Sequence, residues 1–572
     1  MNYQVITEHL ESCGYEVAHD DWNGSVRCLR ITISVDGQPY TLLHFCLDEL
    51  LGLPQFSLEK LDRDEPLAHV MPARGNGLSL ICVTTPDAIS VNFEVPELAF
   101  EASVRRHVEL LTKAITDPAW NVLELAREFQ ANWGFLCDKD AKDFLCAAPT
   151  SECSLLQVVE PSDESNFGLD GSYVSYPAES EMQDLPAAVR LRQEKSNNRS
   201  RTNGVVIPLG QLGTPPIDSD QINHWCSKAI AGMSDDASSK LLDVVKGIRQ
   251  RTFWVIFNGE TPSGTAWFGV KLASDSKKFF PAEQNTLSHW HATPFTVRVF
   301  DKTIFLPRSG AEPALSNKKV LLVGCGSVGA EIALKLGAAG IGEIDLTDPD
   351  ILSWSNTYRH ILPTTFVGCE KAGALAVHLR SQYPWVKCTW STRRLLEYRD
   401  MEQLKEYDLV VIAVGSPTHE RIFATFLQNS EKPPAAVNSW VEGFGVGGHA
   451  TLSIPDRPGC LYCAYVDNST YDKGLVSNLN FIDKNQVVTR NIAGCGDLFL
   501  PYDGLSASKT AIVAGSLSLD YLRGKITESS SMSWKGRDDD ALQAGVNLTH
   551  RYYHFESSMQ PKPLHHEACD VC

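Results

Sequence analysis

The pattern of apolar and polar positions changes texture along the chain. Near the start, apolar residues recur at helical spacing and predict an amphipathic helix, and the runs LRITISV (29–35) and YTLLHFC (40–46) predict strands. A loop with Pro66 and Pro72 leads to a third apolar run, LSLICV (78–83), and in FEASVRRHVELLTKAI the residues Val104, Val108, Leu111 and Ile115 share one helical face. Residues 158 to 204 carry few large apolar side chains and many Ser, Asn and charged residues, which predicts a linker or long surface loop. Strand-like runs then return in GVVIPL, TFWVIFN, TAWFGVKL, FTVRVF and TIFLP. From residue 311 the apolar runs become continuous, KKVLLVG, GEIDLTD and YDLVVIAVG, separated by helical stretches. Uninterrupted apolar strands alternating with helices indicate a parallel sheet covered on both faces.

This divides the chain into a small α+β domain (1–145), a linker and bridging domain (146–310) and a Rossmann-like, doubly wound α/β domain (311–572). A length of 572 residues accommodates roughly two to four domains. The hydrophobic fraction of 43% and charged fraction of 21% are those of a soluble globular chain. With no membrane-length apolar run and no basic-then-apolar leader, a cytoplasmic protein without a membrane partner is expected. The net charge of -19 argues against a broad nucleic-acid surface, which needs clustered cations. In a reducing compartment, clustered cysteines bind metal or act as nucleophiles, and six of the 16 stand out: Cys82, Cys460, Cys463, Cys495, Cys569 and Cys572.

The strongest local pattern is GCGSVG, with Gly324, Gly326 and Gly329, between a strand and a helix. Such a turn lets a phosphate approach a helix N-terminus closely, and Asp348, at the end of the next strand, is placed to accept hydrogen bonds from ribose hydroxyls. A dehydrogenase and an adenylating enzyme share these features. SWSNTYRHIL separates them. Asn356, Arg359 and, further on, Lys371 place cations just past the acidic strand end, where splitting ATP between its α- and β-phosphates builds negative charge. Cys460-x-x-Cys463 and Cys569-x-x-Cys572 are two chelating hooks that together fill a tetrahedral Zn2+ site, with no position left open for catalysis. Cys495, between two glycines in NIAGCGDLFLPYDG, lacks a partner at metal spacing and suits a nucleophile that must reach an activated carbonyl.

Asp348-Pro-Asp350, Ser355-Asn356-Thr-Tyr-Arg359 and Lys371 resemble the ThiF/MoeB-like adenylating domain shared by ubiquitin-activating enzymes and the bacterial molybdopterin- and thiamin-synthesis activators. The resemblance implies ATP and Mg2+ as cofactors, adenylation of a partner protein's C-terminus, and Cys495 as the thiol that takes the acyl group. It also implies the Zn2+ role of the four paired cysteines. One position departs: where that family carries a magnesium-binding Asp, this chain has Gly415. The front domain loosely resembles ubiquitin-conjugating enzymes, with Cys82 at the thioester position. The His-Pro-Asn preceding the cysteine in that family is absent in register, and His69 and Asn76 are nearby but differently spaced. The whole chain resembles the activating–conjugating fusion enzymes of antiphage CBASS operons. That implies a homodimer that activates the C-terminus of the cyclic-oligonucleotide synthase (CD-NTase) and conjugates it to target lysines. Two rivals remain: activation of a sulfur carrier with the front domain as a docking module, and a nucleotide sensor without catalysis, which Gly415 favours.

Overall fold

The computed structural model describes the whole chain except residues 60–65, 72–76, 85–88, 148, 162–168, 170, 181–184, 187–188, 191, 193–200, 283 and 492–497. It forms two compact units, one of residues 1–185 with 189–301, the other of residues 302–572 with 186–188.

The first unit opens with helix α1 (Tyr3–Ser12), whose first turn is capped by the Asn2 side chain accepting from Gln4 N–H. An antiparallel meander follows, in spatial order β1 (Glu16–Trp22), β2 (Val26–Val35), β3 (Gln38–Phe45), β4 (Ser57–Glu59) and β5 (Leu78–Leu80). Alternation along β2 buries Leu29, Ile31, Ile33 and Val35 against Ile6 and Leu10 of α1 and Phe100, Val104 and Leu111 of α2 (Pro96–Thr116). Asp117 caps α3 (Pro118–Arg127) by accepting from Trp120 N–H, and α4 (Phe129–Leu136) follows directly.

In the same unit, β6 (Phe144–Ala147), β7 (Ser154–Val159), β8 (Tyr173–Pro177), β9 (Arg201–Gln211), β10 (Arg249–Thr261), β11 (Gly264–Phe279) and β12 (His291–Phe300) close into a barrel. Its interior is packed with aromatic rings, Phe144, Trp254 and Phe295 among them. Two sequence expectations change here. The polar stretch 158–204 contains β8, whose Val174, Ser175 and Tyr176 are buried; a strand this short leaves little periodicity to detect. TIFLP, expected as a strand, lies in a helix (Lys302–Arg308), α5, which opens the second unit with Ile304 and Phe305 exposed. A run of five residues with three large apolar side chains fits either period, and among the described residues it pairs with no strand.

The second unit is built on an eight-stranded sheet in the order β15 (Lys387–Ser391), β14 (Glu343–Thr347), β13 (Lys319–Val323), β16 (Leu409–Ile412), β17 (Ala435–Val441), β18 (Gly447–Ser453), β19 (Ser530–Lys535) and β20 (Lys562–Pro563). The first five are parallel and the rest antiparallel. Successive residues of the central strands serve opposite faces. Val320, Leu322, Leu409 and Val411 pack with α6 (Ser327–Ala339), α7 (Lys371–Gln382) and α9 (Gly504–Leu522), while Leu321, Val323, Val410 and Ile412 pack with Phe423 and Leu427 of α8 (Pro417–Gln428). This is the doubly wound sheet that the apolar runs predict. Its strand order reverses at β13, between β14 and β16, and such a switch point opens a crevice at the carboxyl ends of the strands.

Candidate functional site

The crevice is a cavity of 1180 Å³ at the ends of β13, β14 and β16. Gly324, Gly326, Asp348, Asp350, Asn356, Arg359, Lys371 and Gly415 all line it. Gly324 has φ +95°, and a Cβ there would lie 2.6 Å from Ala413 O, so the turn demands glycine. Gly329 lies behind the lining. A Cβ on it would sit 1.8 Å from Gly324 O, so this glycine lets α6 seat against the turn. Gly326, the N-cap of α6, has nothing within 4 Å of its would-be Cβ, leaving the backbone open to a ligand.

Asp348 is buried, and both its oxygens hold backbone: Oδ2 accepts from Cys325 N–H at 2.6 Å and Oδ1 from Asp350 N–H at 2.8 Å. Burial pushes its pKa above the ordinary value, against the pull of those N–H groups and Lys371. A carboxylate has further lone pairs, so the same group that braces the glycine turn can accept from a sugar hydroxyl. Lys371 Nζ, at the start of α7, lies 2.9 Å from Asp350 Oδ2, and this pair sits beside the turn. Asn356 Oδ1 accepts from Ser353 N–H and Oγ in a capping box, so what it offers the cavity is its amide N–H2. Arg359 has no carboxylate at ion-pair distance among the described residues. Its guanidinium lies 4.9 Å from the ring centroid of Tyr502, whose hydroxyl bonds Ser327 Oγ at 2.8 Å.

Several lining residues escaped the sequence reading. Arg393, Arg394, Glu420, Trp440 and Tyr502 carry no motif that marks them. His360, within SWSNTYRHIL, has no motif that marks it; its Nε2–H donates to Cys325 O at 2.8 Å while Nδ1 accepts from Leu362 N–H, and burial lowers its basicity. Glu420 is almost wholly buried: Oε1 accepts from Ser416 N–H at 3.2 Å and Oε2 from Asn438 Nδ2 at 3.1 Å. Burial pushes its carboxyl up to about 7. It braces the loop holding Gly415, whose φ of +66° is left-handed and whose would-be Cβ meets nothing within 4 Å. An Asp there would have room but would strain the backbone.

Elsewhere in this unit the four paired cysteines converge. Cys460 Sγ lies 3.9 Å from Cys569 Sγ, Cys463 Sγ 3.3 Å from Cys572 Sγ, and Cys569 and Cys572 are 3.8 Å apart. These separations exceed a disulfide's and match the edge of a tetrahedron with metal–sulfur bonds of about 2.3 Å. The donor set thus fits Zn2+. Cys495 lies outside the described residues, as does Asn76; in the flanks of Cys495, Asn491 pairs with Leu498 and Arg490 with Phe499.

In the first unit, Cys82 follows β5 and is partly exposed. Its N–H donates to His69 O at 2.8 Å, next to a Val70–Ile81 bridge. His69, at φ +63°, is gripped by two carboxylates of the helical region: Nδ1 lies 2.7 Å from Glu128 Oε1 and Nε2 3.4 Å from Glu124 Oε1. Neither glutamate was singled out in the sequence, because nothing in its spacing links residues 124 and 128 to residue 69.

A glycine turn, a braced aspartate and a lysine–aspartate pair meet at the switch point of a ThiF/MoeB-like fold, and residues 303–555 match the model of the ThiF family. The chain is similar to the ATP-dependent ubiquitin transferase-like protein Cap2 of Escherichia coli strain TW11681, at 30% identity over 250 residues, 42% of this chain and 39% of that protein. It is similar to Cap2 of Vibrio cholerae serotype O1 at 28% over 437 residues, covering 70% of this chain and 72% of that protein. It is also similar to the adenylyltransferase and sulfurtransferase MOCS3 of Danio rerio, at 33% over 114 residues, 19% of this chain and 25% of that protein. The match thus spans less than half of the E. coli relative and nearly three quarters of the Vibrio one. A solved structure of E. coli MccB with ATP covers 45% of this chain and 68% of its own at 18% identity and TM-score 0.32, too distant to place residues. The resemblance to Cap2-type proteins with a ThiF-type adenylating domain therefore holds. Among the described residues, no helix is long and apolar enough to cross a membrane.

Proposed function

We propose that this chain is an ATP-dependent ligase for a ubiquitin-like modifier, activating the C-terminal carboxylate of a partner protein and conjugating it to target lysines. The observation that carries this reading is the cavity, where Gly326, Asp348, Arg359 and Lys371 surround one space at the switch point. ATP supplies the adenylyl group, and with Gly415 in place of the family's Asp, Mg2+ would be held through Asp350 or by the phosphates alone. The α6 N-terminus receives phosphate, and Asp348 orients the ribose. Arg359 and Lys371 offset charge on the phosphorus and the departing pyrophosphate. Cys495 then attacks the acyl-adenylate carbonyl, AMP leaves, and Cys82 receives the acyl group by thiol exchange before a lysine amine displaces it. Each thioester retains activation that a free carboxylate lacks, which divides one difficult step into easier ones.

Similarity to the Vibrio Cap2 over 70% of the chain supports the coupled reading, and the CBASS resemblance suggests that the chain works as a cytoplasmic homodimer with the CD-NTase as the partner it activates. Cys460, Cys463, Cys569 and Cys572 would hold Zn2+ as a structural brace. The test is the intact mass of a Cys82→Ser protein co-expressed with the neighbouring synthase. A thiol-resistant increase equal to one partner chain supports conjugation through Cys82. A thiol-labile adduct at Cys495 alone reduces the first unit to a docking module, as in activation of a sulfur carrier. Gly415 favours one further reading, a nucleotide sensor, and no adduct together with no ATP–pyrophosphate exchange would select it.

A further inference from the structure

One cluster of donor atoms in the first unit takes no part in the chemistry described above. His9 lies in the last turn of α1, Cys13 is the residue that ends that helix, and Glu101 lies on α2. His9 and Cys13 are one helical turn apart and share a face of the helix end. His9 Nε2 stands 2.8 Å from Glu101 Oε2, and Cys13 Sγ stands 3.8 Å from the same nitrogen. All three donor atoms lie within 4.8 Å of one another. Among the described residues, His9 is the one ion-pair partner of Glu101; Arg105, a turn further along α2, faces Glu109.

The backbone holds these donors in place. α1 closes in a Schellman arrangement: Gly14 N–H donates to Glu11 O at 2.9 Å and Tyr15 N–H to Leu10 O at 3.1 Å. Gly14 takes the left-handed conformation that this closure needs, at φ +90°. Ile6 and Leu10 of α1 share one buried core with Phe100 and Val104 of α2, which fixes the two helices beside each other. Glu101 follows Phe100 directly, so its carboxylate leaves α2 at the rim of that core. His9 and Glu101 are partly exposed and Cys13 is exposed, so an ion can reach the cluster from solvent.

A partly exposed His–Glu pair is by itself worth little to stability. What distinguishes this one is the sulfur converging on the same nitrogen. A thiolate, an imidazole nitrogen and a carboxylate oxygen together are a donor set for Zn2+, whereas Mg2+ and Ca2+ take oxygen. With metal–donor bonds of about 2.0–2.3 Å, the edges of a Zn2+ tetrahedron measure about 3.4–3.6 Å. The sulfur–nitrogen separation is close to that already. The nitrogen–oxygen separation is that of a hydrogen bond, and it opens by roughly 0.6 Å when a metal takes the proton's place.

We propose that His9, Cys13 and Glu101 form a Zn2+ site that staples α1 to α2, with water in the fourth position. On binding, the Cys13 thiol gives its proton to solvent, and the His9 ring keeps its proton on Nδ1. Sγ, Nε2 and Glu101 Oε2 then take the metal. With one protein donor fewer and a position open to water, this site is weaker than the closed four-cysteine one, so it fills when Zn2+ is supplied and empties first. The inference does not depend on the conjugating reading.

The test measures capture of Cys13 by N-ethylmaleimide in the full-length chain, read by peptide mass mapping, with and without a small excess of Zn2+. Zn2+ should slow capture at Cys13 at least ~10-fold, because a metal-bound thiolate is withheld from the reagent. Cys369, exposed and in no such cluster among the described residues, should react at an unchanged rate. His9→Gln and Glu101→Gln should each lose most of the protection, and Mg2+ should give none. No slowing in the wild type overturns the proposal. So does protection that survives in either variant, which would mean an ion held by the thiol without the full donor set, and so does equal protection by Mg2+. If the variants do not fold, zinc counts decide: Cys13→Ser, at an exposed position, should hold one Zn2+ fewer per chain than wild type from the same excess, and equal counts overturn the site.

Discussion

The nucleotide cavity and the Cys82 site handle charge in opposite ways. In the cavity, the backbone does most of the work: a glycine turn, a helix N-terminus and Asp348 bonded to two N–H groups are fixed before any ligand arrives. At Cys82 the backbone supplies one short pairing, and side chains from α3 and its boundary with α4 supply the charges. The difference follows from the chemistry assigned to each. Splitting a phosphoanhydride builds charge that rigid dipoles stabilise without reorganising. Moving an acyl group between thiols and amines needs an accessible sulfur and a proton acceptor, which few side chains provide. Where the backbone builds the site, overfilling the turn should make it fail outright, while loss of a single charged side chain should weaken either site by degrees.

The largest effect tests that contrast directly. Gly329→Val places a branched side chain where even a Cβ would be 1.8 Å from Gly324 O, so the turn cannot close. ATP–pyrophosphate exchange should drop more than about 1000-fold, consistent with loss of a preorganised phosphate site. Cys82→Ala, in the other unit, should abolish conjugate formation yet leave exchange at the wild-type rate. Measurable exchange in Gly329→Val would break the comparison. Next in size is Lys371→Ala. It removes one cation and leaves Asp350 facing the cavity unpaired, so exchange should fall roughly 100-fold. A rise in the ATP KM alone would mean that Lys371 binds nucleotide without serving the transition state.

How visible each region is in the sequence follows from the same difference. The glycines, Asp348, Asp350, Asn356, Arg359 and Lys371 stand close together along the chain, because a turn and two successive strand ends bring them to the cavity. The parallel strands announce themselves as unbroken apolar runs. The partners of His69 come from helices more than one element away, and no periodicity connects them. Glu420 and Tyr502 are equally hidden: their roles depend on burial and on a ring beneath Arg359, and neither residue type signals that on its own. Cys82 itself was legible as a candidate, but its electrostatic setting was not.

Metal removal should give an intermediate effect confined to the second unit. Full-length protein should release one Zn2+ per chain on mercurial titration of the four thiols. Cys463→Ser should lower the Tm of the second unit by more than ~5 °C, because a buried ligand to a closed site is lost. The first unit should be unaffected in hydrogen exchange. Full thermal stability without bound metal would show that packing among the four sulfurs suffices.

The smallest effect compares the two regions through pH. His69 has its proton affinity raised, first by Glu128, so the stability it adds is complete below its ordinary value of 6.5 and fades as pH rises through the higher folded value. Glu420 is a carboxyl raised from 4.5 to about 7. Below pH 4.5 it is protonated whether the chain is folded or not and costs nothing. Between 4.5 and 7 only the unfolded chain ionises, so the second unit loses stability, by roughly 3 kcal/mol at about 1.4 kcal/mol per unit of displacement. Glu420→Gln removes that loss while keeping an acceptor for Ser416 N–H. Its stability relative to wild type should therefore climb from pH 4.5 to pH 7 and level off above, when urea unfolding of the full chain is followed by hydrogen exchange in residues 302–572. His69→Ala, followed in the first unit, should show its deficit at pH 6 and recover toward wild type at higher pH. A flat Glu420→Gln difference across this range would mean that the buried carboxyl keeps its ordinary affinity, and that the N–H groups of the Gly415 loop outweigh its burial.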